Sequence, residues 1–330
     1  MGYYAQAVNG QFALLAAAKP IPEWLEDPAT SSDLKLRLER AQKIRAFATR
    51  ELGLPDNRSY TAYADLKRPA AVWNVFAAPE LSLQLKTWCY PLFGCAGYRG
   101  YFHIEDAEEL AAKLRSEGYE VDVGAVPAYS TLGWFNDPLL STFINQGEGE
   151  LARLIFHELA HQVLYAKDDT SFNEGFATTV ERVGVDRWMA AEGTPESRAA
   201  YERQQQRRAD FLALLLTHRD LLLANYARPI SDDEKRMHKR EIFADLQTAY
   251  AKVKAERWGG WGGYDRFFAQ SLNNAHLASI AAYNDLVPNF QALLRAEGND
   301  LPRFYLKVKK LAGEDKEQRH RDLQQALVAE

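Results

Sequence analysis

The chain has 330 residues and a formal net charge of −5, with 47% hydrophobic and 12% aromatic residues. That is enough for a sizeable core in one large or two intimate domains. The mild acidity, without dominant basic clusters, excludes the electrostatic footprint of a nucleic-acid or anionic-membrane binder, so small or peptide partners are expected.

Met1 to Pro20 hold short apolar pieces such as Phe12 to Ala18, with neither a charged start before a long apolar core nor a spanning run. No signal peptide or transmembrane helix is therefore expected in this chain. Residues 22–52 read as a helix: Asp33 opens it, Leu34, Leu38, Ala41, Ile44, Phe47 and Ala48 recur at helical spacing, and Gly53-Leu54-Pro55 ends it. From Tyr60 the texture becomes strand-like, with runs at Ala71 to Ala77 and Trp88 to Phe93 bounded by Pro69, Pro79 and Pro91. Glu105 to Ser116 form an amphipathic helix ending at Gly118, and Tyr119 to Val126 a further strand. Pro127 to Phe135 then read as a turn with an exposed edge.

The next stretch carries the chemistry. His157-Glu158-Leu159-Ala160-His161 lies in an uninterrupted helical pattern in which Leu151, Ile155, Leu159 and Val163 recur every four residues. A helical turn of 3.6 residues stacks His157 and His161 on one face, where both imidazoles reach one metal ion. Glu158, on the flank, is placed to accept a proton from a water at that ion. A polar turn, Asp168 to Ser171, leads into a second helical pattern with Phe172, Phe176, Val180 and Val183 on one side, so two antiparallel helices are expected. Glu174, near the start of the second, can return its carboxylate as a third ligand, and two His plus one Glu with an open position is a catalytic zinc arrangement. Asn173 or Ser171 is the expected cap of that helix, and Asp168 or Asp169 belongs to the turn. Glu181 lies about 10 Å further along the axis, too far for the same ion, and reads either as a support for a ligand or as solvated. The metzincin pattern needs a Gly and a His where Leu164 and Lys167 stand, so that class is excluded.

After Trp188 the pattern is almost wholly helical: Glu196 to Asn225, Asp232 to Arg257, Tyr264 to Leu286, Phe290 to Glu297 and Pro302 to Leu311. The charged runs Lys235 to Arg240 and Lys316 to Arg321 read as solvated helix surface. The loop Trp258-Gly259-Gly260-Trp261-Gly262-Gly263-Tyr264 combines paired glycines with aromatics and lacks the Lys of a phosphate-binding loop.

His157 to His161 followed by Phe172-Asn173-Glu174-Gly175-Phe176-Ala177 resembles the glutamate-zincin metallopeptidases, and more closely a bacterial family named as zinc aminopeptidases. The closer likeness covers nearly the whole chain. It includes Trp73-Asn74-Val75, Lys86-Thr87-Trp88-Cys89, Tyr98-Arg99-Gly100-Tyr101-Phe102, Ala128-Tyr129-Ser130-Thr131-Leu132-Gly133-Trp134-Phe135 and Leu272-Asn273-Asn274-Ala275.

The resemblance implies a zincin-like α+β fold with one Zn2+ per chain, held by His157, His161 and Glu174, and Glu158 as the general base. The substrate is then a peptide, and the location the periplasmic side of the bacterial envelope, with a lipid anchor supplied upstream of this chain. No oligomer is predicted. Because glutamate-zincins bind extended peptide along a sheet edge, Tyr129, Ser130 and Thr131 are candidate substrate contacts. His276 and Tyr283, in the helical half, are candidate oxyanion donors. Cys89 and Cys95, the two cysteines, are either a disulfide or two buried thiols, and a periplasmic location favours the disulfide.

The expected organisation is an α+β half, residues 1–188, leading into the zinc helix, and a helical half, residues 189–330, closing the cleft. Large aminopeptidases of this kind carry a Gly-x-Met-Glu-Asn run whose Glu grips the substrate amino terminus. Gly124 to Ala128 offer no Glu, which keeps endopeptidase and cell-wall amidase activities open beside aminopeptidase. A non-catalytic zinc-containing peptide binder is the remaining reading, and Glu158 argues against it.

Overall fold

The computed structural model describes residues 2–90, 94–128, 130–282 and 285–328. In chain order the elements are α1 (Tyr3–Ala16), β1 (Ala18–Pro20), α2 (Ile21–Glu26), α3 (Ser32–Leu52), β2 (Ala62–Ala64), β3 (Val72–Pro79), β4 (Trp88–Tyr90), β5 (Gly94–Ala96), β6 (Arg99–Tyr101), α4 (Ile104–Ser116), β7 (Tyr119–Val126) and β8 (Leu139–Leu140). Then follow α5 (Glu148–His161), α6 (Thr170–Glu192), α7 (Pro195–Ala227), α8 (Asp232–Glu256), α9 (Asp265–Phe268), α10 (Asn274–Ala282), α11 (Val287–Ala296), α12 (Leu301–Ala312) and α13 (Lys316–Val328). The fold class is α+β, with small sheets in the first half and helices in the second. Among the described residues no helix is long and apolar enough to cross a membrane.

The expected helix over 22–52 is two helices. Ser31 caps α3 by accepting from the Leu34 N–H, and Leu38, Ala41, Ile44, Phe47, Ala48 and Leu52 line its buried face. Gly53, at φ +64°, ends it in the left-handed conformation. The strand expectation at Ala71 to Ala77 is met by β3, which pairs antiparallel with β7 from Val72 opposite Val126 to Pro79 opposite Tyr119, with β6 on its other side. Ala107, Ala111 and Leu114 of α4 pack with Val75, Ala77 and Val121 to close a small core. Cys89 and Cys95 face each other across β4 and β5 and are bonded as a disulfide.

The largest core draws side chains from Leu14 to Leu323 and is centred on α3, α5 and α6, joined by Phe290, Phe304 and Val308 of α11 and α12. A separate core lies between α7 and α8, with Leu215, Leu222, Leu246, Tyr250, Trp258, Phe268 and Leu277. The helix expected over 264–286 is interrupted, because Asn273 and Asn274 turn their side chains to other backbones. Asn273 donates to the Val121 carbonyl, and Asn274 Nδ2 to the carbonyls of Pro79, Glu80 and Ser82. The run Leu272–Ala275 is therefore a joint between the helices and the end of the β3–β7 pair. Lys239 and Arg319, in runs expected to be solvated, are buried. Lys239 pairs with Glu120 at 2.5 Å, and Arg319 with Asp169 at 2.7 Å.

Close approach of α6 to its neighbours depends on Gly184. A Cβ there would lie 2.7 Å from both Leu52 Cδ1 and Phe156 Cδ2, and those side chains are fully buried. Gly184→Ala should therefore lower stability by about 1–3 kcal/mol through overpacking, read as a lower denaturation midpoint at unchanged m-value. An unchanged midpoint would show that the helices part at no cost.

Candidate metal centre

α5 is apolar on the side facing the core, where Leu151, Leu154, Ile155, Phe156 and Leu159 are buried, and this fixes its rotation. Another flank then presents His157 and His161 towards Glu174 of α6, while Glu158 stands where Tyr60 and Asp137 feel its charge. α6 begins after a turn that is tightly held. Asn173 does not cap the helix as expected. Its Oδ1 accepts the Ala166 N–H at 2.7 Å and its Nδ2 donates to the Ala166 carbonyl at 2.8 Å, all buried. The cap is Asp169, which accepts the Phe172 N–H and pairs with Arg319 and His320 of α13. Asp168, at φ +62°, accepts the Cys95 N–H at 2.6 Å, which seats the disulfide hairpin on this turn. With both sides of Asn173 bound to Ala166, its neighbour Glu174 has little freedom of position.

Glu174 meets the two imidazoles. His157 Nε2 lies 3.1 Å from His161 Nε2 and 3.2 Å from Glu174 Oε2, and His161 Nε2 lies 3.7 Å from the same oxygen. Three electron-pair donors this close repel unless a cation, a proton or a metal, lies among them. Metal bonds of about 2.0–2.2 Å at tetrahedral angles separate ligand atoms by roughly 3.3 Å, the mean spacing found here. His157, His161 and Glu174 are the described group whose donor atoms could hold a metal ion. The antiparallel packing expected of the two helices is visible in the pairs 157 with 174 and 153 with 181.

Glu181 resolves as a support. It is buried, and its Oε2 accepts from His157 Nδ1 at 2.8 Å and from Arg153 Nη1 at 3.1 Å. With the proton on Nδ1, the Nε2 lone pair points at the cluster, the outer carboxylate arrangement common to metal-bound histidines. His161 Nδ1 is buried without such a partner among the described residues. Burial would lift the Glu181 and Glu174 carboxyls and lower the His157 imidazole. The charges outweigh it: Arg153 brings Glu181 to about 2, His161 and His157 bring Glu174 to about 2, and the two glutamates raise His157 to about 10. The site is built for positive charge.

Glu158 is half-buried and makes no hydrogen bond or ion pair with the described residues. Its charge is felt by two groups that sequence reasoning missed. Tyr60 is buried at φ +65°, unusual for a bulky residue, and its N–H donates to the Asp137 carbonyl at 2.6 Å. Burial first and Glu158 second push its phenol well above its ordinary range. Asp137 is buried and accepts from Thr131 N at 3.0 Å, Thr131 Oγ1 at 2.8 Å and Ser130 Oγ at 3.4 Å. The hydroxyls of Ser130 and Thr131 are thus turned inward to Asp137. Their loop reaches the end of α5, where a Cβ at Gly133 would touch Gln162 at 3.6 Å. Tyr129 and Tyr283 lie outside the described residues. His276 is not brought to the cluster: its Nε2 lies 3.3 Å from Asp122 and its Nδ1 2.9 Å from Asn273 Oδ1. Tyr165, between α5 and α6, is partly exposed, and burial followed by the charges of Glu174 and Asp168 raises its phenol.

Burial lifts the Asp137 carboxyl to about 6, against the hydrogen bonds of Thr131 and with help from Glu158. A carboxyl raised on folding contributes stability that is fully present below its unfolded pKa, near 3.8, and lost as pH rises through about 6. Wild-type stability should therefore decline across pH 4–6 by on the order of 2–3 kcal/mol more than that of Asp137→Asn. Parallel curves in urea titrations would contradict the assignment.

The fold and the site together define an α+β protein that carries a His-Glu-x-x-His helix with a glutamate from the next helix completing a potential metal centre. Residues 2–323 match the family described as "Putative aminopeptidase", and the chain belongs to that family. The family name points to a peptidase. A stretch of 51 residues, 16% of the chain, is 41% identical to a Thermus aquaticus protein named "Universal stress protein in QAH/OAS sulfhydrylase 3'region". It spans 37% of that protein's length. No solved structure matches the chain.

Proposed function

We propose that the protein is a zinc-dependent aminopeptidase, with zinc held by His157, His161 and Glu174. The observation that carries the reading is the triangle of 3.1, 3.2 and 3.7 Å between three donor atoms, with Glu158 beside it and without a hydrogen-bond or ion-pair partner among the described residues. Two imidazoles and one carboxylate are the donor set of a catalytic rather than a structural zinc site, which leaves a position for water or substrate. Zinc bound there would polarise the scissile carbonyl and lower the pKa of the attacking water.

The chain's own groups supply the proton transfers. Glu158 accepts the proton of the attacking water and passes it to the departing amine, a role that suits a carboxylate with no partner among the described residues. Glu181 holds the His157 ring in the tautomer that keeps Nε2 available. Asp137 holds the Ser130–Thr131 loop in place at the end of α5.

Endopeptidase activity is the second reading, favoured by the lack of a glutamate over Gly124–Ala128 that could bind a substrate amino terminus. A panel of peptides with free or acetylated amino termini separates the two. Cleavage confined to free amino termini supports the aminopeptidase, whereas cleavage of blocked, internally quenched peptides would replace it with the endopeptidase. The Cys89–Cys95 disulfide supports a location in an oxidising compartment, in keeping with the envelope.

A further inference from the structure

We propose that Arg208, on α7, is a positioning residue for the metal centre, acting through a chain of ion pairs that ends on His157; this rests on the zinc reading above. α5 presents Glu150, Arg153 and His157 at i, i+3 and i+7. Glu181 Oε2 takes both His157 Nδ1, at 2.8 Å, and Arg153 Nη1, at 3.1 Å. Arg153 Nε donates in turn to Glu150 Oε2 at 3.0 Å, and the same oxygen takes Arg208 Nη2 at 2.5 Å. The side chains of Arg153, Glu150 and Arg208 are 26%, 20% and 24% exposed and that of Glu181 only 5%, so water screens the chain weakly.

Arg153 is the shared element. Two carboxylates compete for one guanidinium, and Glu150 Oε1 is buried without a hydrogen-bond partner among the described residues. How firmly Arg153 holds Glu181 therefore depends on how much of the Glu150 charge Arg208 balances. Without the Arg208 charge, Glu150 draws Arg153 away, Glu181 is left buried with less compensation, and the His157 ring loses its fixed orientation. The paired-glycine loop also gains a role. Its last residue, Tyr264, stands close enough to Arg208 to feel its charge and stacks on Phe211 with ring centroids 4.0 Å apart. Gly259 and Gly260, at φ +59° and +82°, permit the turn that delivers it. A helix that gives no ligand is thus tied to a ligand's orientation.

The test is zinc affinity of the full chain by competition with a chromophoric chelator, for wild type, Arg208→Met, Arg208→Lys, Glu150→Gln and the Glu150→Gln/Arg208→Met double variant, each checked for folding by thermal melting. Arg208→Met should weaken zinc binding by about tenfold, the low end for outer partners of metal ligands, and Arg208→Lys by less. Glu150→Gln should bind nearly as wild type, since it frees Arg153 for Glu181. The double variant should recover to the Glu150→Gln value, because the competing charge is gone. Should Arg208→Met fail to fold, Arg208→Lys with and without Glu150→Gln reads the same recovery at smaller amplitude. Wild-type affinity in Arg208→Met, or a double variant as weak as Arg208→Met, would overturn the proposal, the second by showing that Arg208 acts through packing. If wild type takes up no zinc, the zinc reading falls and this inference with it.

Discussion

Glu158→Gln is expected to reduce peptide turnover by about 10²–10⁴-fold while leaving zinc content unchanged. The size follows from the role. An amide of the same shape keeps the packing of α5 but cannot take a proton from water, and no other described carboxylate stands beside the cluster in the same free state. Asp137 is near enough to sense the Glu158 charge, yet its oxygens are engaged by Thr131 and Ser130. It is poorly placed to act as a substitute. Because Glu158 makes no hydrogen bond or ion pair with the described residues, the variant should also melt close to wild type. Turnover retained in metal-verified Glu158→Gln would remove the residue from its assigned role.

The second large effect concerns Glu174. Glu174→Ala should weaken zinc binding at least a hundredfold, since even outer partners of metal ligands contribute 10–100-fold. It also removes the negative charge that helps hold His157 and His161 together, because Glu174 Oε2 is the described carboxylate oxygen that lies near both imidazole Nε2 atoms. Glu181→Gln should fall between this variant and wild type: the outer amide can still meet His157 Nδ1, but the charge that favours the Nδ1–H tautomer is lost. Chelator competition on both variants checks the order. A Glu174→Ala chain that binds zinc as tightly as wild type would exclude Glu174 from the ligand set.

These expectations rest on features of unequal legibility in the sequence. The helix bearing His157 and His161 and the position of Glu174 follow from local periodicity and spacing, and the structure brings the three side chains together. The strands β3 and β7, though not their pairing, and the helical stretch that contains α3 are likewise read from patterns within a few residues. What escaped reading are contacts made at long range. Nothing near Asp137 or Tyr60 in sequence announces Glu158, because a loop and a bend in the first half reach it only once the core has formed. Arg319 and Lys239 sit in charged runs whose composition signals solvent. Each is buried because a single distant carboxylate, Asp169 or Glu120, awaits it. The break before α10 has the same origin: Asn273 and Asn274 bind carbonyls of strands more than a hundred residues away, an attraction stronger than the helical periodicity around them. Glu181 was ambiguous at the level of spacing, and the fold decided for support because Arg153 and His157 of α5 converge on it.

The most direct measurement is the zinc content of the purified full chain after reconstitution and removal of loosely bound metal, by mass spectrometry on wild type and Glu174→Ala side by side. One zinc per wild-type chain and a large loss in the variant is the result expected. No zinc retained by the folded wild-type chain, or equal retention by both, would contradict the assignment of His157, His161 and Glu174 as a zinc centre.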